Sequence, residues 1–474
     1  MQNNLADKKI LKRNVKFMKA GFARLDITPP FGYSLVGYPY RRPADDIITP
    51  LYVNAVVVDD GETKAALVTL DAEGATADCT EIIREYAASM TGLDPNSIFI
   101  SCTHSHQAIG MYSMGGFHDI VKTRVADAIK LATYDLKEAK AFVARTKAEG
   151  VAFIRLFKMK DGSTRTNPKP TMAADILGPL GTPDEEVQLI KLTREGASDI
   201  AIVQFQMHPD VIGNTKICHD WPGFVRMYLE QALADEADGK GVKAICFNGA
   251  QGDTAHVNRN RIAEGISINR SGVKHSKHIA RVVAGAVLGA YTYAKEVDSE
   301  KVFFKRQPVL IDSSRKPTPE ELEIAYKINE AYNKGVEKAK AEGRPEWEGG
   351  AEATKDFPFD RTTAMRYIGL SKAPDVYTLY LSSVGFGDVC FIGFPGEPFT
   401  EIGRQTKARS PFEMTFTCCM TNGQEGYFPM KEVFGEVNGY EASATRFAPG
   451  TAERFIDAAV KLADELKAAN TKSE

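Results

Sequence analysis

The sequence lacks the features that would place the protein in a membrane or in an oxidising compartment. No apolar run reaches the roughly 18 residues that a membrane-spanning helix needs. The seven cysteines are an odd number, none is spaced as C-x-x-C, and most lie in apolar, strand-like segments, as is typical of buried, reduced thiols. The first 20 residues are rich in Lys and Asn and lack the apolar stretch of a signal peptide. We therefore expect a cytoplasmic protein without stable membrane association.

An excess of charge of one sign is missing as well. The 59 basic and 62 acidic residues give a formal net charge of -3, which offers no electrostatic basis for binding nucleic acid. Hydrophobic residues make up 43% of the chain, enough for a sizeable core. This composition favours an enzyme that acts on a small-molecule substrate, and it is compatible with a homo-oligomer.

What the sequence does contain is an alternation of apolar, strand-like runs with helical patterns. Examples are the run 51–58, the helical pattern 79–90 and the run 199–205. Such alternation is typical of α/β proteins, and we predict a large mixed-sheet body with flanking helices. We assign residues 1–20 to an N-terminal extension and residues 21–470 to one domain, which carries a charged helical insertion at about 317–357.

Ionisable residues follow four of the predicted strands, at the point where each strand ends. After the runs 97–102, 199–207, 242–247 and 388–394 come, in that order, His104 with His106, His208, Asp253 with His256, and Glu397. If these strand ends are aligned, the loops converge on one metal crevice. His104, His208 and Glu397 would then form a zinc set of two imidazoles and one carboxylate that leaves a position for water.

His104 and His106 leave two arrangements open. Residues two apart on extended backbone point to the same side, so either both histidines bind the metal or one binds it while the other serves the substrate. A His-x-His pair by itself is more often held by hydrogen bonds than by a metal. The distant partners therefore decide the assignment.

Seven short motifs occur in one order along the chain. They are Gly21–Pro30, Gly37–Tyr38, Thr103–His106, Met207–Pro209, Gly249–Thr254, Phe394–Glu397 and Tyr440–Ser443. In this order they resemble the N-terminal catalytic domain of the neutral, non-lysosomal ceramidases and their bacterial relatives, over about residues 21–455.

The resemblance implies one catalytic zinc and a set of residues around it. The implied zinc ligands are His104, His208, Glu397 and Tyr427. His106 would lie beside the metal as a proton donor or substrate contact. Tyr440 would be a second active-site phenol, and Asp253 a carboxylate at the third strand end.

The sequence departs from the family's pattern at two places. Ala255, followed by His256, stands where the family has a serine after Gly-Asp-Thr or Gly-Asp-Val, and Gln107–Gly110 replace the usual Ser-Gly-Pro-Gly. We also expect no C-terminal β-sandwich, because the last motif lies close to the end of the sequence. A serine acyl-enzyme at this position and membrane ceramide as substrate are both disfavoured.

We therefore expect a zinc-dependent hydrolase that cleaves an amide bond of a small soluble substrate with a metal-activated water. Asp253 or His106 would move the proton to the leaving amine. Arg155, Arg165 and His256 are the predicted substrate contacts, the two arginines for an anionic group. Three alternatives stay open: an ester or lactone hydrolase, a true ceramidase, and a catalytically silent member that binds a ligand.

Overall fold

The computed structural model describes residues 18–38, 40–263, 270–435 and 437–471, and two β-sheets lie at the centre of these residues. The larger sheet has the spatial order Val242–Asn248, Asp199–Phe205, Glu186–Arg194, Lys137–Lys147, Lys19–Asp26, Tyr52–Asp59, Lys64–Leu70 and Ile98–Cys102, with Lys295–Val297 also paired to Lys137–Lys147. The smaller sheet has the order Val302–Asp312, Val376–Phe386, Val389–Gly393 and Met414–Cys418. Both sheets are mixed, because each contains parallel and antiparallel pairs.

The helices and the short ladders complete the fold. The helices are Ala77–Thr91, Phe117–Tyr134, Asp220–Ala232, Glu236–Gly239, Asn260–Ala263, Val273–Tyr291, Pro319–Ala341, Glu346–Thr354, Arg361–Ser371, Thr400–Arg409, Tyr440–Ala444 and Thr451–Thr471, with 3₁₀ turns at Pro95–Ser97, Pro170–Asp175 and Lys431–Val433. The short strands pair as Ser34–Leu35 with Arg42–Pro43, Asp46–Ile47 with Lys216–Ile217, Gly74–Ala75 with Gly110–Met111, Phe153–Ile154 with Thr254–Ala255, Leu156–Met159 with Thr164–Thr166 and Ile176–Pro179, and Glu397–Pro398 with Tyr427–Phe428.

The two sheets pack face to face, and helices cover their outer faces. Strand Lys64–Leu70 is apolar on both faces because it lies between these layers. Leu67 belongs to the core between the sheets, together with Phe391 of the smaller sheet. The next residue, Val68, belongs to the core under helix Ala77–Thr91. The layers therefore follow the order helix, sheet, sheet, helix.

The predicted α/β body with a large mixed sheet and flanking helices is confirmed, with one addition. The strand that leads to Glu397, Val389–Gly393, pairs with Val376–Phe386 and Met414–Cys418 and belongs to the smaller sheet. The strand ends that carry His104 and His208 belong to the larger sheet. The converging loops therefore come from two sheets. The apolar runs in the sequence do not show this, because they do not indicate which strands pair.

A helical segment connects two neighbouring strands of the smaller sheet, Val302–Asp312 and Val376–Phe386. Its first helix, Pro319–Ala341, begins with a capping box in which Thr318 and Glu321 exchange side-chain to backbone hydrogen bonds. The segment includes two further helices and continues to Ser371, beyond the expected end at about 357. We call residues 319–371 the helical insertion.

Three further expectations concern the N-terminal segment, the cysteines and membrane-spanning helices. Residues 1–17 of the predicted N-terminal extension lie outside the described residues, and the first described strand begins at Lys19. All seven cysteines are buried and free of disulfide bonds. Among the described residues, no helix combines the length and apolar character that crossing a membrane requires.

Candidate metal centre

Three histidine side chains converge at the strand ends. The Nε2 atom of His104 lies 3.2 Å from that of His208 and 3.4 Å from that of His106, and the Nε2 atoms of His208 and His106 are 3.2 Å apart. A tetrahedral metal with nitrogen ligands at about 2.0–2.1 Å separates those nitrogens by about 3.3 Å. Within the described residues, this is the one group of at least three potential ligands close enough together to hold a metal ion. The triangle of nitrogens therefore fits a tetrahedrally coordinated metal ion.

His104 is held in one orientation by its backbone and by its Nδ1 atom. Its φ of 67° lies in the left-handed region, where few residues other than glycine and short polar ones occur, and such strain is concentrated at functional sites. Nδ1 lies 2.6 Å from the carbonyl oxygen of Glu73 and donates its proton there. In the neutral form of His104, Nε2 therefore keeps its lone pair for a metal, the arrangement that metal-binding histidines usually have.

His106 is positioned by the loop between the short strands Ser34–Leu35 and Arg42–Pro43. The ring of Tyr38 packs edge-on against the imidazole, with 5.2 Å between ring centroids. A Cβ atom on Gly37 would lie 2.5 Å from the His106 ring, so only glycine allows this close approach. Arg42 donates to the carbonyl oxygen of His106. The Nδ1 atom of His106 is buried without a hydrogen-bond partner among the described residues.

Glu397 and Tyr427 enter the site from the other sheet. A carboxylate oxygen of Glu397 lies 3.4 Å from His104 Nε2 and 3.8 Å from His208 Nδ1. Glu397 and Tyr427 are partners in a short parallel ladder, so both lie at the same level of the site. The ring of Tyr440 contacts that of Tyr427 at 5.7 Å between centroids.

Arg155 lies beside the histidines as a fixed, buried cation. Its Nε donates to Glu441 at 2.6 Å and its Nη2 donates to the carbonyl oxygen of Gly252 at 2.9 Å. Its Nη1 lies 3.4 Å from His208 Nδ1. The guanidinium therefore cannot rotate freely, and its position relative to the histidines is set by two strong partners.

Burial and neighbouring charges lower the pKa of two of the three imidazoles and raise that of the third. Burial lowers the pKa of His106 and of His208 well below the usual value, and the positive charges of His104 and Arg155 reinforce the effect. Burial also acts to lower the pKa of His104, but the carboxylate of Glu397 overcomes it and raises the pKa to about 9. Two of the three imidazoles are therefore neutral at pH 7, the form that binds a metal.

These residues surround one cavity of about 760 Å³, which we call the histidine crevice. The sequence-predicted residues that line it are His104, His106, His208, Glu397, Tyr427, Tyr440 and Arg155. The set offers three imidazoles and one carboxylate at close range, one imidazole more than the predicted set of ligands. Zinc itself and the choice of ligands stay predictions.

Three predicted site residues lie elsewhere. Asp253 lines a neighbouring cavity of about 400 Å³, and its carboxylate accepts hydrogen bonds from the backbone and hydroxyl of Thr400 at the start of helix Thr400–Arg409. Burial raises the pKa of the Asp253 carboxyl to about 6. This geometry matches a helix cap and gives no support to the predicted proton transfer.

Arg165 and His256 also fall outside the crevice. Arg165 alternates with Thr166 on strand Thr164–Thr166, so the two side chains point to opposite faces. Thr166 lines the crevice, whereas Arg165 lines a different cavity. His256 packs against His275, with ring centroids 5.3 Å apart, and its Nε2 lies 3.9 Å from Asp210. Neither residue is placed to contact a substrate in the histidine crevice.

The crevice also contains residues that the sequence prediction missed. They are Glu73, Tyr112, Gln424 and Asp210, together with Thr362 of the helical insertion. Tyr112 donates its hydroxyl proton to the buried carboxylate of Glu73, and burial raises the pKa of Glu73. Glu73 follows strand Lys64–Leu70 by three residues. The signal that identified the histidines, an ionisable residue after an apolar strand, would have identified Glu73 too.

The fold and the site define an α/β protein whose strand ends converge on a buried histidine cluster. The chain matches no family model and no curated protein sequence. It does match solved structures. The neutral ceramidase from Pseudomonas aeruginosa aligns with a TM-score of 0.67 and 15% identity, over 95% of this chain and 75% of that chain. A ceramidase complexed with C2 aligns with a TM-score of 0.69 and 13% identity, over 96% of this chain and 76% of that chain. The chain therefore has the neutral ceramidase fold, and the resemblance predicted from the order of the motifs is confirmed at that level.

Proposed function

We propose that this protein is a zinc-dependent hydrolase that cleaves the amide bond of a small soluble substrate. The observation that carries the proposal is the triangle of His104, His106 and His208 Nε2 atoms, with edges of 3.2–3.4 Å. We assign the zinc to His104, His208, Glu397 and Tyr427, the set that the resemblance implies, so that His106 lies beside the metal. One oxygen of Glu397 is 3.4 Å from His104 Nε2. Zinc held there would act as a Lewis acid and would lower the pKa of a bound water to about 7.

Arg155 and Tyr440 provide the groups that meet the substrate. The guanidinium of Arg155, fixed by Glu441 and Gly252, faces the crevice and would stabilise negative charge that develops on the carbonyl oxygen. Burial raises the pKa of the Tyr440 phenol to about 12, so it carries its proton at pH 7. Because Tyr440 is 50% exposed, its phenol is accessible to a substrate and can donate a hydrogen bond to it.

His106 is favoured over Asp253 as the group that moves a proton to the leaving amine. His106 lines the crevice, is neutral at pH 7 and has an Nδ1 atom without a partner among the described residues. Asp253 lines another cavity and is occupied by Thr400. A general acid or base has to reach the reacting atoms, and only His106 meets that condition.

Amide cleavage is favoured by the likeness to ceramidases, which cleave an amide. An ester or lactone remains the second candidate, since the same site can attack either carbonyl. The absence of a serine at Ala255 does not argue for an inactive protein. Ala255 is buried in a two-residue strand opposite Phe153 and is not part of the crevice wall.

Elemental analysis combined with a substrate panel tests the proposal. We expect about one zinc per chain by mass spectrometry, and hydrolysis of N-acyl anilides that stops with a chelator and returns with zinc. Matched aryl esters of the same acids separate amide from ester cleavage. Protein prepared without chelators that holds no stoichiometric transition metal would contradict the proposal.

A further inference from the structure

A second cavity, of about 730 Å³, adjoins the histidine crevice under the helical insertion. Thr362 and Ala444 line both cavities, so the two spaces share a wall. Aromatic rings also connect them. Tyr38 contacts His106 at 5.2 Å between centroids, Tyr40 contacts Tyr38 at 5.8 Å, and Trp347 of the insertion lies 6.3 Å from Tyr40. We call this second space the insertion cavity.

The walls of the insertion cavity are mostly apolar. They include Tyr332, Trp347, Phe357, Phe359 and Met365. Trp347 and Met365 are 45% and 44% exposed, so both present apolar surface that a ligand can cover. Apolar walls of this kind suit an aliphatic or aromatic group of a ligand.

Two arginines in the wall have no carboxylate partner. Within the described part of the chain, neither Arg361 nor Arg366 forms an ion pair, and the Nε atom of each is buried without a hydrogen-bond partner. The guanidinium of Arg361 stacks on Tyr332 at 3.9 Å, which leaves its N–H edges free. Asp360, the only acidic residue of the wall, accepts a hydrogen bond from the backbone of Thr363. With Lys355 also in the wall, the basic residues outnumber Asp360, and the cavity presents net positive charge among apolar walls.

We propose that the insertion cavity binds the part of the substrate remote from the scissile bond, and that this part is an apolar arm with an anionic end. The apolar walls would hold the arm, and Arg361 with Arg366 would pair with the anion. Guanidinium groups that are short of partners gain most from a carboxylate. This inference rests on the proposed hydrolase function, because the scissile bond would lie in the histidine crevice.

Binding of two methyl ketones tests the inference without requiring turnover. 2-Decanone and 9-oxodecanoate both place a carbonyl group where an amide would lie and have no leaving group, and they differ only at the far end. Trp347 is one of two tryptophans in the chain, and the other, Trp221, is fully buried, so intrinsic fluorescence reports on the insertion cavity. We expect 9-oxodecanoate to change the fluorescence and to bind about 10- to 100-fold more tightly than 2-decanone, as a charge-assisted contact implies.

Variants and substrates then separate the possible failures. In Arg361→Gln/Arg366→Gln the preference for 9-oxodecanoate should disappear, whereas Arg344→Gln, an exposed arginine of the same insertion, should keep it. Trp347→Phe should remove the change in fluorescence on ketone binding, while the emission of Trp221 remains. Equal affinity of the two ketones in the wild type would overturn the inference, and that comparison needs no variant.

If the ketones behave as expected but no anilide or ester is cleaved, the hydrolase function fails while the binding site stands. If anilides are cleaved at rates independent of an anionic arm, the inference alone fails.

Discussion

The histidine crevice and the helical insertion are built on different principles. The crevice draws its residues from the ends of strands in two packed sheets, and His104 and His208 are each 1% exposed. The insertion surrounds a small core of its own that includes Ile328 and Leu370, and its surface ion pairs are exposed to water. The crevice is therefore held by the whole fold, whereas the insertion has a core of its own and meets the crevice at Thr362. Under the proposed function, this difference would separate the chemistry of the site from the selection of the substrate.

The largest effect is expected from a single histidine of the crevice. His208→Ala removes one corner of the Nε2 triangle, so the variant should hold no zinc and lose at least about 10³-fold in turnover. His275→Ala is the matched control, because His275 stacks on His278 outside the crevice and should keep both zinc and activity. Mass spectrometry of the metal and anilide hydrolysis measure the two effects. Stoichiometric zinc in His208→Ala would exclude His208 as a ligand.

A buried and an exposed arginine give the next comparison. Arg155→Met leaves the carboxylate of Glu441 buried without its cation, and such a change costs about 3–5 kcal/mol of unfolding free energy. Adding Glu441→Gln should recover part of the loss, since the unpaired charge is then gone. Arg344→Met in the insertion breaks only exposed pairs with Glu342 and Glu352 and should leave the urea midpoint unchanged. Equal losses in the two arginine variants would remove the distinction between the regions.

The sequence predicted the crevice better than it predicted its surroundings. His104, His208 and Glu397 were found because each follows an apolar run, and buried strands end at the edge of a sheet where ligands gather. Arg165 lines a different cavity from Thr166, because neighbouring residues of a strand point to opposite faces and the sequence does not show which of the two faces the crevice. The pattern that identifies the histidines also places Asp253 at a strand end. It does not show that the Asp253 carboxylate binds Thr400 at the start of a helix.

The helical insertion was predicted as a charged surface element, and its contribution to a cavity was not. Its helical periodicity and its Glu and Lys content are local properties that the sequence carries directly. The insertion cavity depends on how Trp347 and Arg361 of the insertion meet Ala444, which lies much further along the chain. The second sheet was missed for the same reason, since strand pairing joins distant segments.

Asp253→Asn has a smaller expected effect, on stability and its pH dependence. Burial raises the pKa of the Asp253 carboxyl from its usual value of 3.8 to about 6, so the folded state binds the proton more tightly than the unfolded chain does. The free energy of unfolding therefore falls as the pH rises from about 4 to about 6, by at most roughly 3 kcal/mol. Asparagine keeps an oxygen for Thr400 and cannot ionise, so urea unfolding across this pH range should show a smaller fall in the variant.

Turnover by Asp253→Asn distinguishes the helix cap from the predicted proton carrier. Because the carboxylate is bound by Thr400 outside the crevice, we expect kcat at neutral pH to stay within about tenfold of the wild type. A loss of roughly 10²- to 10⁴-fold with zinc retained is the effect of removing a general acid or base. That result would return Asp253 to the mechanism and displace His106 from the role.

The smallest effect is expected from an ion pair on the outer face of the insertion. Glu323 and Lys327 are spaced i,i+4 on helix Pro319–Ala341, and their side chains are 69% and 60% exposed. Water and salt screen such a pair, and holding two long side chains in one geometry offsets most of the attraction. Glu323→Gln should therefore leave the urea midpoint, the zinc content and kcat/KM unchanged. A clear loss of stability that disappears at high salt would mean that this exposed ion pair stabilises the protein measurably, and the contrast between the exposed surface of the insertion and the buried crevice would then fail.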